Sequence, residues 1–239
     1  MRIDLNCDMG EGMPNDAALM PYISSANIAC GFHAGDENIM DTTIQLCKEF
    51  GVRIGAHPSF PDRANFGRTM MTLKPLEIYG IVREQIKSLA QHAFAQGEKI
   101  HHVKPHGALY NASAKDPAIA KAIAQAVYDE DPNLVLFGLS GSCSIDAAEA
   151  MGLKIAHEVF GDRAYLADGS LVPRNQAQAC FEEIDEVQNQ VKRMVQKREV
   201  QAISGEIIPL HVDTICLHGD GPHALEFAKA IRELLDLLD

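Results

Sequence analysis

The feature that most constrains this chain is an alternation of short apolar runs with longer amphipathic ones, sustained from end to end. Candidate strands fall at residues 2–7, 26–30, 52–56, 101–104, 134–139, 154–160 and 214–217, each closed by Gly, Asp, Ser or Pro. The stretches between them carry helix signals. Asp36 caps a predicted helix ending at Phe50, with Gly51 just past it. Pro75 opens a second helix, ended by Gly97, and Asp116-Pro117 opens a third. Further helices are predicted over about 144–151, 183–197 and 222–238. The fifth would bury Ile184, Val187, Val191 and Met194, and the last would bury Leu225, Ala228, Ile231, Leu235 and Leu238. Residues 200–210 fit no helix, and Ser204-Gly205 suggests a small hairpin. Strand–helix alternation implies a parallel sheet. Seven such units in 239 residues approach the size of a (β/α) barrel, read here as one domain over 1–239; an open doubly wound sheet competes.

The strand faces favour the barrel. Strands of a parallel sheet covered on both sides read as continuous apolar runs. These alternate instead. Ile3, Leu5 and Cys7 share one face, and Asp4, Asn6 and Asp8 the other. Asn27 alternates with Ile28, Arg53 with Ile54, and Thr214, Cys216 and His218 with Ile215 and Leu217. His102, Lys104 and His106 share a face. An apolar side toward the helices and a polar side toward a barrel interior fit a wet mouth at the strands' carboxyl ends, where barrel enzymes place their sites.

Composition narrows the function. With 21 Lys and Arg against 33 Asp and Glu, the net charge of −12 and the lack of a basic stripe argue against nucleic-acid binding. No apolar run approaches the roughly 18–20 residues that span a bilayer. The first residues carry acid and amide where a signal peptide would be apolar, so the chain reads as cytoplasmic. Six scattered cysteines without a C-x-x-C pair read as free thiols. Neither a P-loop nor a G-x-S-x-G elbow is visible.

Six of the seven strand exits set a His, Lys, Asp or Glu beside Gly or Pro. Asp8 and Glu11 follow the first strand, as metal ligands, a general base, or loop caps. His33 precedes the Asp36 cap, and His57 precedes Pro58. Asp8, His33 and His57 on consecutive strands suit either a divalent metal with open positions or a metal-free acid–base cluster. Lys104 and His106 straddle Pro105 and read as an oxyanion or carboxylate holder with a proton shuttle, or as a buried ion pair. Glu158, Arg163, Asp168 and Arg174 surround the sixth exit, where Arg suits carboxylate or phosphate, or a solvated ion network. His218 and Asp220 close the last strand, with Asp220 also a possible cap for the final helix.

The exit phrases, residues 4–11, 26–36, 55–68, 103–110, 158–165 and 216–220, together resemble the LamB/YcsF family over nearly the whole chain. The resemblance implies an irregular seven-stranded, TIM-like (β/α) barrel similar to carbohydrate deacetylases and some glycosidases. It also implies ATP-dependent cleavage of 5-oxo-L-proline to L-glutamate alongside two partners, 5-oxoprolinase subunits B and C. Without a nucleotide loop in this chain, ATP would be used with those partners. Position then suggests Asp8, His33 or His57 to activate water, His106 or His218 to protonate the leaving nitrogen, and Glu11, Lys104, Glu158, Arg163 and Arg174 to bind substrate. A metal-dependent amidase or deacetylase acting alone, and a non-catalytic lactam-binding subunit, stand as alternatives.

Overall fold

A computed structural model describes residues 3–219, 221 and 223–238. The expected starts at Arg2 and Pro222, and the cap at Asp220, lie outside the described residues. The chain runs β1 (Asp4–Met9), α1 (Asp16–Leu19), β2 (Ser25–Ala29), α2 (Glu37–Phe50), β3 (Arg53–His57), a 3-10 turn (Arg63–Asn65), α3 (Pro75–Ala95), β4 (His102–Val103), α4 (Gly107–Lys115), α5 (Pro117–Glu130), β5 (Val135–Leu139), α6 (Cys143–Met151), β6 (Lys154–Phe160), α7 (Ile184–Lys197), β7 (Glu199–Gln201), β8 (Ile207–Pro209), β9 (Thr214–Leu217) and α8 (Ala224–Leu238). Seven strands, β1 to β6 and β9, close into a parallel barrel. The last strand enters between β6 and β1, pairing Asn6 with Cys216 and Phe160 with Cys216. The hairpin expected near Ser204-Gly205 is present as antiparallel β7 and β8.

The helix ends follow their residues. Asp36 accepts a hydrogen bond from the Ile39 N–H, and Asp116 caps the N–H groups of Ala118 and Ile119. Helix α4 is absent from the sequence expectations. Its N-cap, His106, makes no side-chain capping bond, and the segment begins directly at the strand exit with small residues. Strand β4 is short because Pro105 offers no N–H to the ladder. Two apolar positions expected inward lie outward instead: Ile184 and Leu225 sit in the first turns of their helices, 39% and 40% exposed. First-turn side chains project past the barrel wall that the later turns cover.

The shell between strands and helices is the hydrophobic core. Leu5, Cys7 and Met9 of β1 and Ile28 of β2 are fully buried against it, as are Ile78, Val82, Ile86 and Leu89 of α3. Burial of each such large side chain contributes about 1.5–3 kcal/mol. The barrel interior, by contrast, is a polar stack. Asn6 donates to Glu158 at 2.9 Å and to Thr214 at 2.7 Å. Asn27 donates to Asn6 at 2.7 Å and to Asp8 at 2.8 Å, while His102 Nε2 lies 2.8 Å from Asn27 Oδ1. Gly55 makes room for that imidazole, since a Cβ there would sit 2.0 Å from His102 Nε2. Polar groups so bonded are buried at little net cost.

Candidate active site

The polar stack rises to a cavity of about 500 Å³ at the carboxyl end of the barrel. Of the ten expected site residues, eight line it: Asp8, Glu11, His57, Lys104, His106, Arg163, Arg174 and His218. His33 lies behind Glu11, with Nε2 3.0 Å from Glu11 Oε1. Glu158 lies in the interior beneath Lys104 and is fully buried.

Lys104 is the hub of the floor. Its Nζ donates to Asp8 Oδ1 at 2.8 Å, Glu158 Oε1 at 3.0 Å and Cys216 Sγ at 3.0 Å. With Asn6 Oδ1 also in reach at 3.3 Å, three protons meet four acceptors and the ammonium is engaged within the barrel. Burial opposes its charge, yet the Asp8 and Glu158 carboxylates hold the Lys104 pKa well above the usual lysine value. Burial likewise opposes ionisation of Asp8, but the charges of His57 and Lys104 hold its carboxyl well below the ordinary range. The floor is therefore an ionised, hydrogen-bonded network. Lys104, expected to bind substrate, serves first to fix Asp8.

Three imidazoles pack above it. His57, the last residue of β3, has Nδ1 2.7 Å from the Lys104 carbonyl and Nε2 3.3 Å from Asp8 Oδ2. His106 places Nδ1 3.0 Å from His57 Nε2 and Nε2 2.9 Å from the Phe66 carbonyl. His33 stacks on His106 with ring centroids 3.9 Å apart, and its Nδ1 meets Ser59 Oγ at 2.9 Å. Ser59 is pinned in turn by buried Gln85 of α3, which accepts from its N–H and donates to its carbonyl. Burial and the neighbouring His57 push the His33 pKa down to about 3. Burial, with His57 and His33, holds His106 well below the ordinary histidine value.

Across the cavity, His218 Nδ1 lies 2.9 Å from Asp162 Oδ2, and the His218 N–H also donates to that carboxylate. Burial pushes the Asp162 carboxyl up, but the charge and hydrogen bonds of His218 bring it below its usual value. Sequence reading misses Asp162. The available signal is its place in an exit phrase, four residues beyond Glu158. Sequence reading also takes Cys216 only as a free thiol, although its register on the polar face of β9 places it beside Lys104. Arg163 was expected to bind substrate. Its Nε and Nη2 donate to the carbonyls of Ala179 and Val172, so the guanidinium clamps the long loop after β6. Arg68 and Arg174 add positive charge to the wall.

Among the described residues two groups of side chains have metal-ligand chemistry: Glu11, His33, His57 and His106, and Asp8, Cys216 and His218. Of the expected trio Asp8, His33 and His57, the two histidines fall in the first group and Asp8 in the second. Asp8 Oδ1 is taken up by Lys104 and Asn27, and Glu11 and His106 close on the two histidines.

Fold and site together define a parallel (β/α) barrel whose mouth joins an ionised carboxylate–lysine floor, clustered imidazoles and a cationic wall. The chain belongs to the LamB/YcsF family, whose model matches residues 3–238. It is 52% identical over 240 residues to the A subunit of 5-oxoprolinase from Staphylococcus carnosus (strain TM300), covering 98% of this chain and 95% of that one. The same identity and coverage hold against the corresponding 5-oxoprolinase chain of Bordetella pertussis (strain Tohama I). Among solved structures, the lactam utilization protein from Thermus thermophilus superposes with a TM-score of 0.93 at 41% identity, covering 100% of this chain and 97% of that one. A putative cellobiose-phosphate cleavage protein from Enterococcus faecalis V583 shares the fold, with a TM-score of 0.59 at 10% identity over 98% of this chain and 94% of that one.

Proposed function

We infer that this chain is part of an ATP-dependent 5-oxoprolinase and carries the site where the lactam ring of 5-oxo-L-proline is opened. The relatives' names supply the reaction. The observation that carries the placement is the meeting of Asp8, His57, His106 and His218 around one cavity with arginines on its wall. An unstrained lactam resists hydrolysis, so ATP is used to phosphorylate its amide oxygen, releasing ADP. Among the described residues no P-loop stands in this chain, and that step belongs with partner subunits B and C.

The remaining chemistry fits the mouth. Arg68 and Arg174 hold the carboxylate and phosphoryl groups. Because its Nδ1 donates to the Lys104 carbonyl, His57 turns Nε2 toward Asp8, and the two together take a proton from water. That water adds to the acyl carbon and the ring C–N bond breaks. His218, its Nδ1–H held by Asp162, accepts a proton at Nε2 and passes it to the departing nitrogen. The product is an acyl phosphate. A second water displaces its phosphate and leaves glutamate, ADP and phosphate.

The test is glutamate formation from ATP and 5-oxoproline by the assembled three-subunit complex. Asp8→Asn and His218→Ala are expected to lower kcat at least about 100-fold, within the range of general acid–base contributions. Near-normal turnover in both variants places the site elsewhere. Glutamate formed by this chain alone without ATP favours the stand-alone amidase instead.

A further inference from the structure

The three histidines of the mouth are held in a pattern that a proton count exposes. A backbone carbonyl can only accept a hydrogen bond, so His57 Nδ1, 2.7 Å from the Lys104 oxygen, and His106 Nε2, 2.9 Å from the Phe66 oxygen, must both carry hydrogen. In the neutral rings, the two remaining nitrogens each present a lone pair. Those nitrogens, His57 Nε2 and His106 Nδ1, face one another at 3.0 Å. Two acceptors at that distance repel unless a positive centre lies between them.

The other neighbours deepen the deficit of donors. Glu11 Oε1 lies 3.3 Å from His106 Nδ1, 3.9 Å from His57 Nε2 and 3.0 Å from His33 Nε2. On the far side of His33, Ser59 Oγ is 2.9 Å from Nδ1 and also reaches the Phe60 carbonyl at 3.0 Å. When the hydroxyl donates to that carbonyl, His33 Nδ1 is the donor and Nε2 presents a third lone pair toward Glu11. A single proton bridges one pair of these atoms and leaves the rest facing one another.

We propose that Glu11, His33, His57 and His106 bind one divalent transition-metal ion, with Zn²⁺ or Co²⁺ preferred over Mg²⁺ or Ca²⁺. Their ligand atoms lie within 4.8 Å of one another. The shorter separations, 3.0–3.3 Å, match the edges of about 3.0–3.4 Å expected between ligands bonded at about 2.1 Å. Three nitrogens and one carboxylate oxygen are the donor set of borderline metals rather than of hard cations. The outer nitrogens bonded to Lys104, Phe66 and Ser59 are the supports that hold metal-binding imidazoles in one tautomer. Glu11, His57 and His106 also line the cavity, leaving the ion an open side toward it. The assignment rests on geometry and not on ATP or the lactam, but it bears on the reaction proposed above: an ion at His57 Nε2 occupies that lone pair, and the proton from water then goes to Asp8.

The full-length chain, stripped of metal with a chelator and dialysed, is titrated with Co²⁺ by visible absorption and with Zn²⁺ by calorimetry. One ion per chain is expected, with ligand-field bands of nitrogen-coordinated Co²⁺. His106→Gln and His57→Gln are each expected to weaken Zn²⁺ binding at least about tenfold. His92→Gln, on the outer face of α3 beside Asp41, is expected to leave it unchanged. Circular dichroism confirms that each variant is folded. The proposal is overturned if the wild-type chain leaves Co²⁺ with its aqua-ion spectrum, or if His106→Gln binds Zn²⁺ as tightly as wild type. A bridging proton resonance between His57 and His106 that persists at saturating Zn²⁺ overturns it equally.

Discussion

Single side chains in this barrel act through what they hold as much as through what they touch. Lys104 stands between Asp8 and Glu158, its side chain 3% exposed and theirs 8% and 0%. Removing it leaves two buried negative charges without their shared counter-ion. Lys104→Met is therefore expected to destabilise the fold by about 3–5 kcal/mol, read from the shift in urea midpoint. An unchanged midpoint would mean the pair is solvated and dispensable. Gly67 acts by its absence of side chain. Its φ is +65°, and a Cβ would meet His106 Cδ2 and His33 Cβ, both at 2.9 Å. Gly67→Ala should cost about 1–2 kcal/mol in backbone strain. By splaying the stacked rings, it should also lower glutamate formation by the assembled complex up to about 100-fold. Residue types at the exits announce most of this site, but not its wiring. The motif around Asp162 announces an acid near a strand end; only the meeting with His218, 56 positions away, makes it a partner to an imidazole.

Among the elements, the strands position the chemistry and the loops after them close the cavity. The segment between β6 and α7 is long and is fastened by Arg163, whose donors reach Ala179 and Val172. Gln190 of α7 adds bonds to the carbonyls of Phe160 and Arg163. Arg163→Met should release this loop, raising its cleavage by trypsin near Arg174 several-fold while urea unfolding of the barrel shifts by less than about 1 kcal/mol. A cleavage rate equal to wild type would show that the loop is held by other contacts. Strand positions and the hairpin are legible because periodicity is local. Helix α4 is not, because Gly107 and Ala108 carry no capping side chain, and the segment is held by tertiary burial of Leu109, Tyr110 and Ser113.

At the scale of the molecule, the polar interior ties stability to pH. The folded pKa of His33 is about 3, and burial holds His102 well below its ordinary value. Unfolded histidine titrates near 6.5. Between those values the unfolded chain binds more protons, so stability is complete above about pH 6.5 and falls as pH decreases. Each histidine contributes a slope of up to about 1.4 kcal/mol per pH unit. Asp8 and Asp162, with lowered carboxyl pKa values, add a further loss below about pH 4. Urea midpoints measured at about pH 7.5, 6.0 and 5.0 should decline steadily; a flat profile would contradict neutral buried imidazoles. No helix among the described residues is long and apolar enough to cross a membrane. Alternation with a period of two is written into neighbouring residues, so the sequence alone favoured a barrel over an open sheet and marked its polar lumen and the end at which its side chains gather. Which groups pair was decided by closure, when β9 entered between β6 and β1 and brought Thr214 to Asn6 across 208 positions. Closure set Lys104 against two carboxylates and Glu11 against three histidines, because hydrogen bonds across a lumen depend on strand stagger that no local pattern encodes.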